Sequence, residues 1–112
     1  MLSEGHHKRG IPLARIVELL ATNPARIMGF GDRKGVIAVG HDADLALIDL
    51  NGTTEVSSAK SLSSAKYSIY DGWKLKGRVV HTLVRGAFAM RDGALDDACV
   101  GRGRYIRRRL AA

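Results

Sequence analysis

The chain has 112 residues, 46% of them hydrophobic, a net charge of +7 and one cysteine. That length suits one small domain or part of a larger one, and the apolar content excludes a disordered chain. No apolar run approaches the roughly 20 residues of a bilayer-spanning helix, the polar opening around Glu4 is no secretory leader, and a lone Cys99 fits a reducing cytoplasm.

Leu13, Ile16, Val17 and Leu20 fall at i, i+3, i+4 and i+7, the spacing of one apolar helix face, with Pro12 suited to the first turn. Asn23-Pro24 predicts a break: the residue before a proline is pushed out of the helical region, Asn is a good N-cap, and Pro is favoured just after it. A short second helix over residues 24–28 then ends at Gly29.

From Gly35 the apolar period changes to 2. Val36-Ile37 predicts a short strand, Gly40-His41-Asp42 a turn, and residues 44–50 a strand apolar on both faces, hence inside a sheet. Asn51-Gly52 predicts a turn leading to a strand over residues 53–56. The serine-rich residues 57–64 predict a surface loop or a single helical turn. The last third predicts a meander. Residues 78–84 and 87–91 are joined by the turn Arg85-Gly86, and Asp92-Gly93 leads to a stub near Leu95. The fold class is α+β: one amphipathic helix followed by about five short, mainly antiparallel strands. Such a helix needs a large partner for its apolar face, so the chain reads as the end of something larger.

The net charge raises the question of a nucleic-acid partner. Its distribution argues against one. Residues 35–59 carry four carboxylates and no Lys or Arg, and only Arg102, Arg104, Arg107, Arg108 and Arg109 form a cluster. Aromatic residues are 5% of the chain, too few for a base-stacking platform.

The sequence gives no residue a catalytic, cofactor-binding or metal-binding role. His6-His7 in a loop would diverge, and a catalytic zinc needs three convergent protein ligands. Asp42 and Asp44 supply too few oxygens for calcium or magnesium and read as side-chain caps on a tight turn. His81 reads as a strand-face histidine, and Cys99 as an incidental thiol. Gly101-Arg102-Gly103-Arg104 lacks the GxxxxGK spacing of a phosphate loop and reads as an extended tail docking on another surface.

Several segments together resemble the cyclic amidohydrolases, the dihydroorotase, hydantoinase and allantoinase group. Residues 2–10 followed by Leu13 through Leu20 look like the approach to the family's last barrel helix. Asn23-Pro24-Ala25-Arg26-Ile27-Met28-Gly29-Phe30 resembles its NPAR-hydrophobic-FG stretch. Lys34-Gly35-Val36-Ile37 with Val39-Gly40-His41-Asp42-Ala43-Asp44-Leu45 is similar to its KGxIxxGxDADL. Tyr67 through Trp73 with Lys76-Gly77-Arg78-Val79-Val80 resembles its YxPYxGxxxKGxV, and Arg85-Gly86, Arg91-Asp92-Gly93 and residues 101–104 resemble its terminal RG, DG and GxGR pattern. Ile69 stands where the family often has proline, and Met28 where it often has an aromatic.

The resemblance implies a TIM-like barrel plus a small β-sandwich built from both termini of the whole enzyme. Residues 1–34 would be a remnant of the last barrel helix and its flanks, residues 35–95 C-terminal sandwich strands, and residues 96–112 a basic tail. The family's binuclear metal centre lies on barrel strands before the matched segment, so the resemblance carries no ligand over and zinc is expected only in the full-length family. The implied parent reaction is metal-dependent hydrolysis of a cyclic amide C–N bond, with this chain inactive alone. Trp73, Tyr67 and Tyr70 among Lys66, Lys74, Lys76 and Arg78 are the best local feature for RNA stacking, but the resemblance makes this stretch a structural crossing loop. Self-association or docking to a barrel partner is expected, with no membrane and no nucleic-acid partner. The alternative function is a stand-alone β-rich interaction module or a small basic nucleic-acid binder.

Overall fold

The computed structural model describes residues 1–109; the last three positions of the basic tail lie outside the described residues. A wide helical turn at Leu2–His7 opens the chain. It is followed by α1 (Leu13–Val17), a π-helical segment at Glu18–Thr22, and α2 (Asn23–Ile27).

These three segments run on without the predicted break. Thr22 and Asn23 both keep helical dihedrals, and Asn23 makes no side-chain cap. The π-helical turn supplies the reason. Pro24 has no N–H and its ring crowds the carbonyl one turn back, and widening the preceding turn relieves that crowding without ending the helix. Thr22 also donates its hydroxyl to the Gly35 carbonyl at 2.8 Å, which ties the helix to the chain beyond it.

Val36-Ile37 is not a strand but an open bend, because among the described residues no strand pairs with it. The strands are β1 (Leu45–Glu55), β2 (Lys74–Val84), β3 (Ala87–Arg91) and β4 (Ala94–Leu95), an antiparallel meander in the order β1-β2-β3-β4. Asn51-Gly52 is not a turn. Both halves of β1 pair with β2, Asp49 opposite Arg78 and Thr53 opposite Lys76, so the residues between them form a bulge. Asp49 accepts the Asn51 N–H there at 2.9 Å. Nor is β1 interior to the sheet: it is an edge strand, although it is apolar on both faces.

The predicted loop spans the serines and closes at its base, where Val56 N–H donates to Trp73 O and Gly72 N–H to Val56 O, each at 2.9 Å. The two tight turns are as read. Arg85-Gly86 and Asp92-Gly93 both have positive φ at each residue (48° and 78°, 50° and 82°), the mirror-image turn whose twist matches a right-twisted hairpin. Cys99 closes a single 3-10 turn (Asp97–Cys99) capped by Asp96, and its thiol donates to the Phe88 carbonyl.

Burial is slight. Ile16, packed over Gly5, is the one buried large apolar side chain among the described residues. The radius of gyration is 15.7 Å, against about 13 Å for a closed domain of this length. The helix and the sheet touch at one end, where Leu2 lies against Gly77, and part elsewhere. No helix among the described residues is long and apolar enough to cross a membrane.

Candidate functional site

The gap between helix and sheet is an open concavity of about 1240 Å³. The helical stripe read from the sequence, Leu13, Ile16, Val17 and Leu20, forms one wall. Alternation along the strands turns Ile48, Leu50, Leu75 and Val79 toward it from the sheet. Tyr70 and Trp73 stand at its margin with ring centroids 5.2 Å apart, edge to face. The aromatic pair of the basic segment therefore belongs to this apolar wall and to itself.

The two walls do not meet. Val17 and Leu20 remain 55% and 59% exposed, and Ile48 and Val79 about 40%. Ile16 is already buried; covering Val17 and Leu20 as well would be worth on the order of 2–3 kcal/mol as an upper bound. The concavity is thus an exposed apolar surface. Beside it, the free edge of β1 offers unpaired backbone groups to another strand.

A charged clamp borders the concavity. Lys34 Nζ lies 2.8 Å from the Asp42 carboxylate and also pairs with Asp44. Arg33 Nη2 lies 3.2 and 3.1 Å from the two Asp42 oxygens. Asp44 accepts the Arg85 N–H at 2.8 Å, while Gly86 N–H donates to the Ala43 carbonyl at 2.9 Å. The aspartates thus do not cap their own turn. Asp44 caps the β2–β3 turn, 41 residues away, and both fasten the segment leaving the helix.

The hydrogen bond from Lys34 holds the Asp42 carboxyl below its ordinary value, aided by Arg33. Burial works upward on Asp44, but Lys34 and the Arg85 N–H outweigh it and lower its pKa. Burial works downward on Lys34, and the two carboxylates outweigh it and raise its pKa. Lys34 was legible only as one basic residue among many. Its one signal was a lysine on the near side of a Gly40 turn with two aspartates on the far side.

His6 and His7 lie on the first helical turn, not in a loop, with ring centroids 5.0 Å apart. His6 Nδ1–H donates to the Ile11 carbonyl at 2.9 Å. His41 Nε2 lies 3.3 Å from the Gly31 carbonyl, and His81 on β2 accepts the Asp92 N–H on Nδ1 at 3.2 Å. Among the described residues no three His, Cys, Asp or Glu side chains converge as a metal-binding group. The donor set does not fit the binuclear centre of the resembled enzymes, which needs several ligands aimed at one point.

Residues 1–89 match the amidohydrolase family. The chain is 39% identical over 93 residues to an L-hydantoinase of Paenarthrobacter aurescens, covering 83% of this chain and 20% of that protein. It is 42% identical over 99 residues to a dihydroorotase of Methanothermobacter thermautotrophicus, covering 88% of this chain and 22% of that protein. In structure it is similar to dihydropyrimidinase from Brevibacillus agri, with a TM-score of 0.89 and 34% identity over 99% of this chain and 24% of that one. The chain thus spans about a fifth to a quarter of the length of the relatives it matches. Matched in sequence over most of its residues and in structure over nearly all of them, the chain belongs to the amidohydrolase family, with hydantoinases, allantoinases and dihydroorotases among its relatives.

Proposed function

We propose that this chain serves as the C-terminal, non-catalytic portion of a hydantoinase- or dihydroorotase-like cyclic amidohydrolase. Its role is to close against the barrel whose residues hydrolyse the cyclic amide C–N bond. Residues 1–34 supply the last barrel helix and its flanks, residues 35–95 half of a β-sandwich, and residues 96–112 a basic tail. The observation that carries this reading is the open concavity: helix stripe and sheet face are both apolar, face each other, and leave room between them. The bare edge of β1, apolar on both sides, supports it, since a strand with that composition suits a sheet interior. A covering layer of strands and barrel helices satisfies both at once.

Two measurements test the proposal. The purified chain is assayed for opening hydantoin, dihydroorotate and allantoin rings, with metal content measured in parallel; neither turnover nor a stoichiometric metal is expected. The chain is then joined, in place of the matching segment, to the preceding part of a relative such as the Brevibacillus dihydropyrimidinase. The fusion should fold and regain ring-opening activity that the truncated relative lacks. Turnover by the chain alone, abolished by a chelator, would overturn the proposal, as would a fusion no better folded than the truncated relative.

A further inference from the structure

The arginine-rich tail does not trail away from the molecule. Arg109 N–H donates to the Gly29 carbonyl at 2.8 Å, and Arg109 Nη1 lies 3.4 Å from the Asp32 carboxylate. The tail approaches so closely that a Cβ on Gly29 would lie 2.6 Å from the Arg109 carbonyl oxygen, and Gly29 has φ +77°. Only glycine suits that position. Earlier in the tail, the Arg85 guanidinium donates to the Arg102 carbonyl, so residues 102–109 are tied at both ends.

This docking gathers Arg107, Arg108 and Arg109 beside Asp32 and Arg33, and the five side chains line a notch of about 590 Å³. Four arginines and one aspartate line it, and a second carboxylate, Asp42, pairs with Arg33. Arg33 is oriented by Asp42, and Arg109 by Asp32. Arg107 and Arg108 make no ion pair among the described residues. Like charges brought together without compensation repel, and an anion bound among them relieves that repulsion. Guanidinium forks suit phosphate oxygens in particular, because each presents paired donors in one plane.

We propose that Arg33, Arg107, Arg108 and Arg109 form a binding site for a small ligand bearing a phosphate or diphosphate group. Arg33 and Arg109, each paired with a carboxylate, are its walls. Arg107 and Arg108 are its free donors. This goes beyond the proposed enzyme role and does not depend on it, since every residue of the notch lies in this chain.

Calorimetric titration of the full chain at low salt tests the site, with inorganic phosphate, sodium pyrophosphate and a single-stranded oligonucleotide as probes. Pyrophosphate should bind once per chain and more tightly than phosphate. Arg107→Ala/Arg108→Ala should weaken it by about tenfold or more, because both side chains are exposed donors and not packing residues. Lys60→Ala/Lys66→Ala removes the same charge outside the notch and should change affinity by less than about twofold, as a remote surface charge is screened. Arg107→Gln/Arg108→Gln, which keeps side-chain length, should behave like the alanine pair. Absence of saturable pyrophosphate binding to the native chain would overturn the proposal, as would equal losses in the arginine and lysine variants. Oligonucleotide binding far tighter than pyrophosphate, with a salt slope of many phosphates, would replace it with a nucleic-acid surface.

Discussion

Asp44 binds two parts of the chain at once: one carboxylate oxygen accepts the Arg85 N–H of the β2–β3 turn at 2.8 Å, and the other pairs with Lys34 just past the helices. The segment leaving the helices and the β2–β3 turn, itself 41 residues from Asp44, are thereby linked by one side chain. Because apolar contact between the two walls is so limited, this link has an outsized share in fixing their angle.

Asp44→Ala should therefore lower unfolding stability by about 1 kcal/mol, the value of a charge-assisted hydrogen bond discounted for partial exposure. Asp44→Asn keeps an oxygen for the Arg85 N–H and should cost roughly half as much. Urea unfolding of the three proteins checks the order. An Asn variant as weakened as the Ala variant would show that the ion pair, not the turn cap, carries the effect.

The same clamp predicts a pH window. Asp42 and Asp44 have lowered pKa values, so their contribution is present above the ordinary carboxylate range and is lost as pH falls through their folded values. Lys34 has a raised pKa, so its contribution is present below the ordinary lysine value and is lost as pH rises through the folded one. The thermal midpoint should thus hold between about pH 4 and pH 10 and fall on both sides. Lys34→Met should flatten the alkaline fall; a drop of unchanged size in that variant would assign it to other groups.

Ile16→Ala should cost about 2 kcal/mol, the low end for a buried isoleucine, since the site borders an open concavity and can relax. Leu20→Ala, at a position 59% exposed, should stay within about 0.5 kcal/mol. Denaturant midpoints decide between them. Equal losses would mean that Leu20 is covered in solution.

Alone at micromolar concentration, the chain should self-associate and bind a dye for apolar surface through the concavity and the β1 edge. Val17→Lys/Leu20→Lys should shift sedimentation toward the monomer. A monodisperse native monomer that binds no dye would show that the two walls close on each other.

What could be read from the sequence was what neighbours along the chain decide. The Leu13-Ile16-Val17-Leu20 stripe follows from helical period, and all four residues do line one wall. Arg85-Gly86 and Asp92-Gly93 specify their turns through the dihedrals those residues tolerate, so the β2–β3–β4 meander was legible. The family, too, was legible, because its motifs are local strings kept in order. That the notch contains Arg107 and Arg108 was visible only as a basic cluster without a place to sit.

Where local preference met a distant partner, the partner prevailed. Asn23-Pro24 favours a break, yet the helix continues, because a widened turn admits the proline and the Thr22 hydroxyl reaches the Gly35 carbonyl. Asn51-Gly52 favours a turn, yet both flanks pair with one long β2 and the dipeptide becomes a bulge. Val36-Ile37 has strand composition and, among the described residues, no strand beside it. Asp42 and Asp44 look like local caps until Lys34 and Arg85 are brought to them. A strand or a clamp exists only when both members are present in space, and that is a property of the folded chain, not of any window along it.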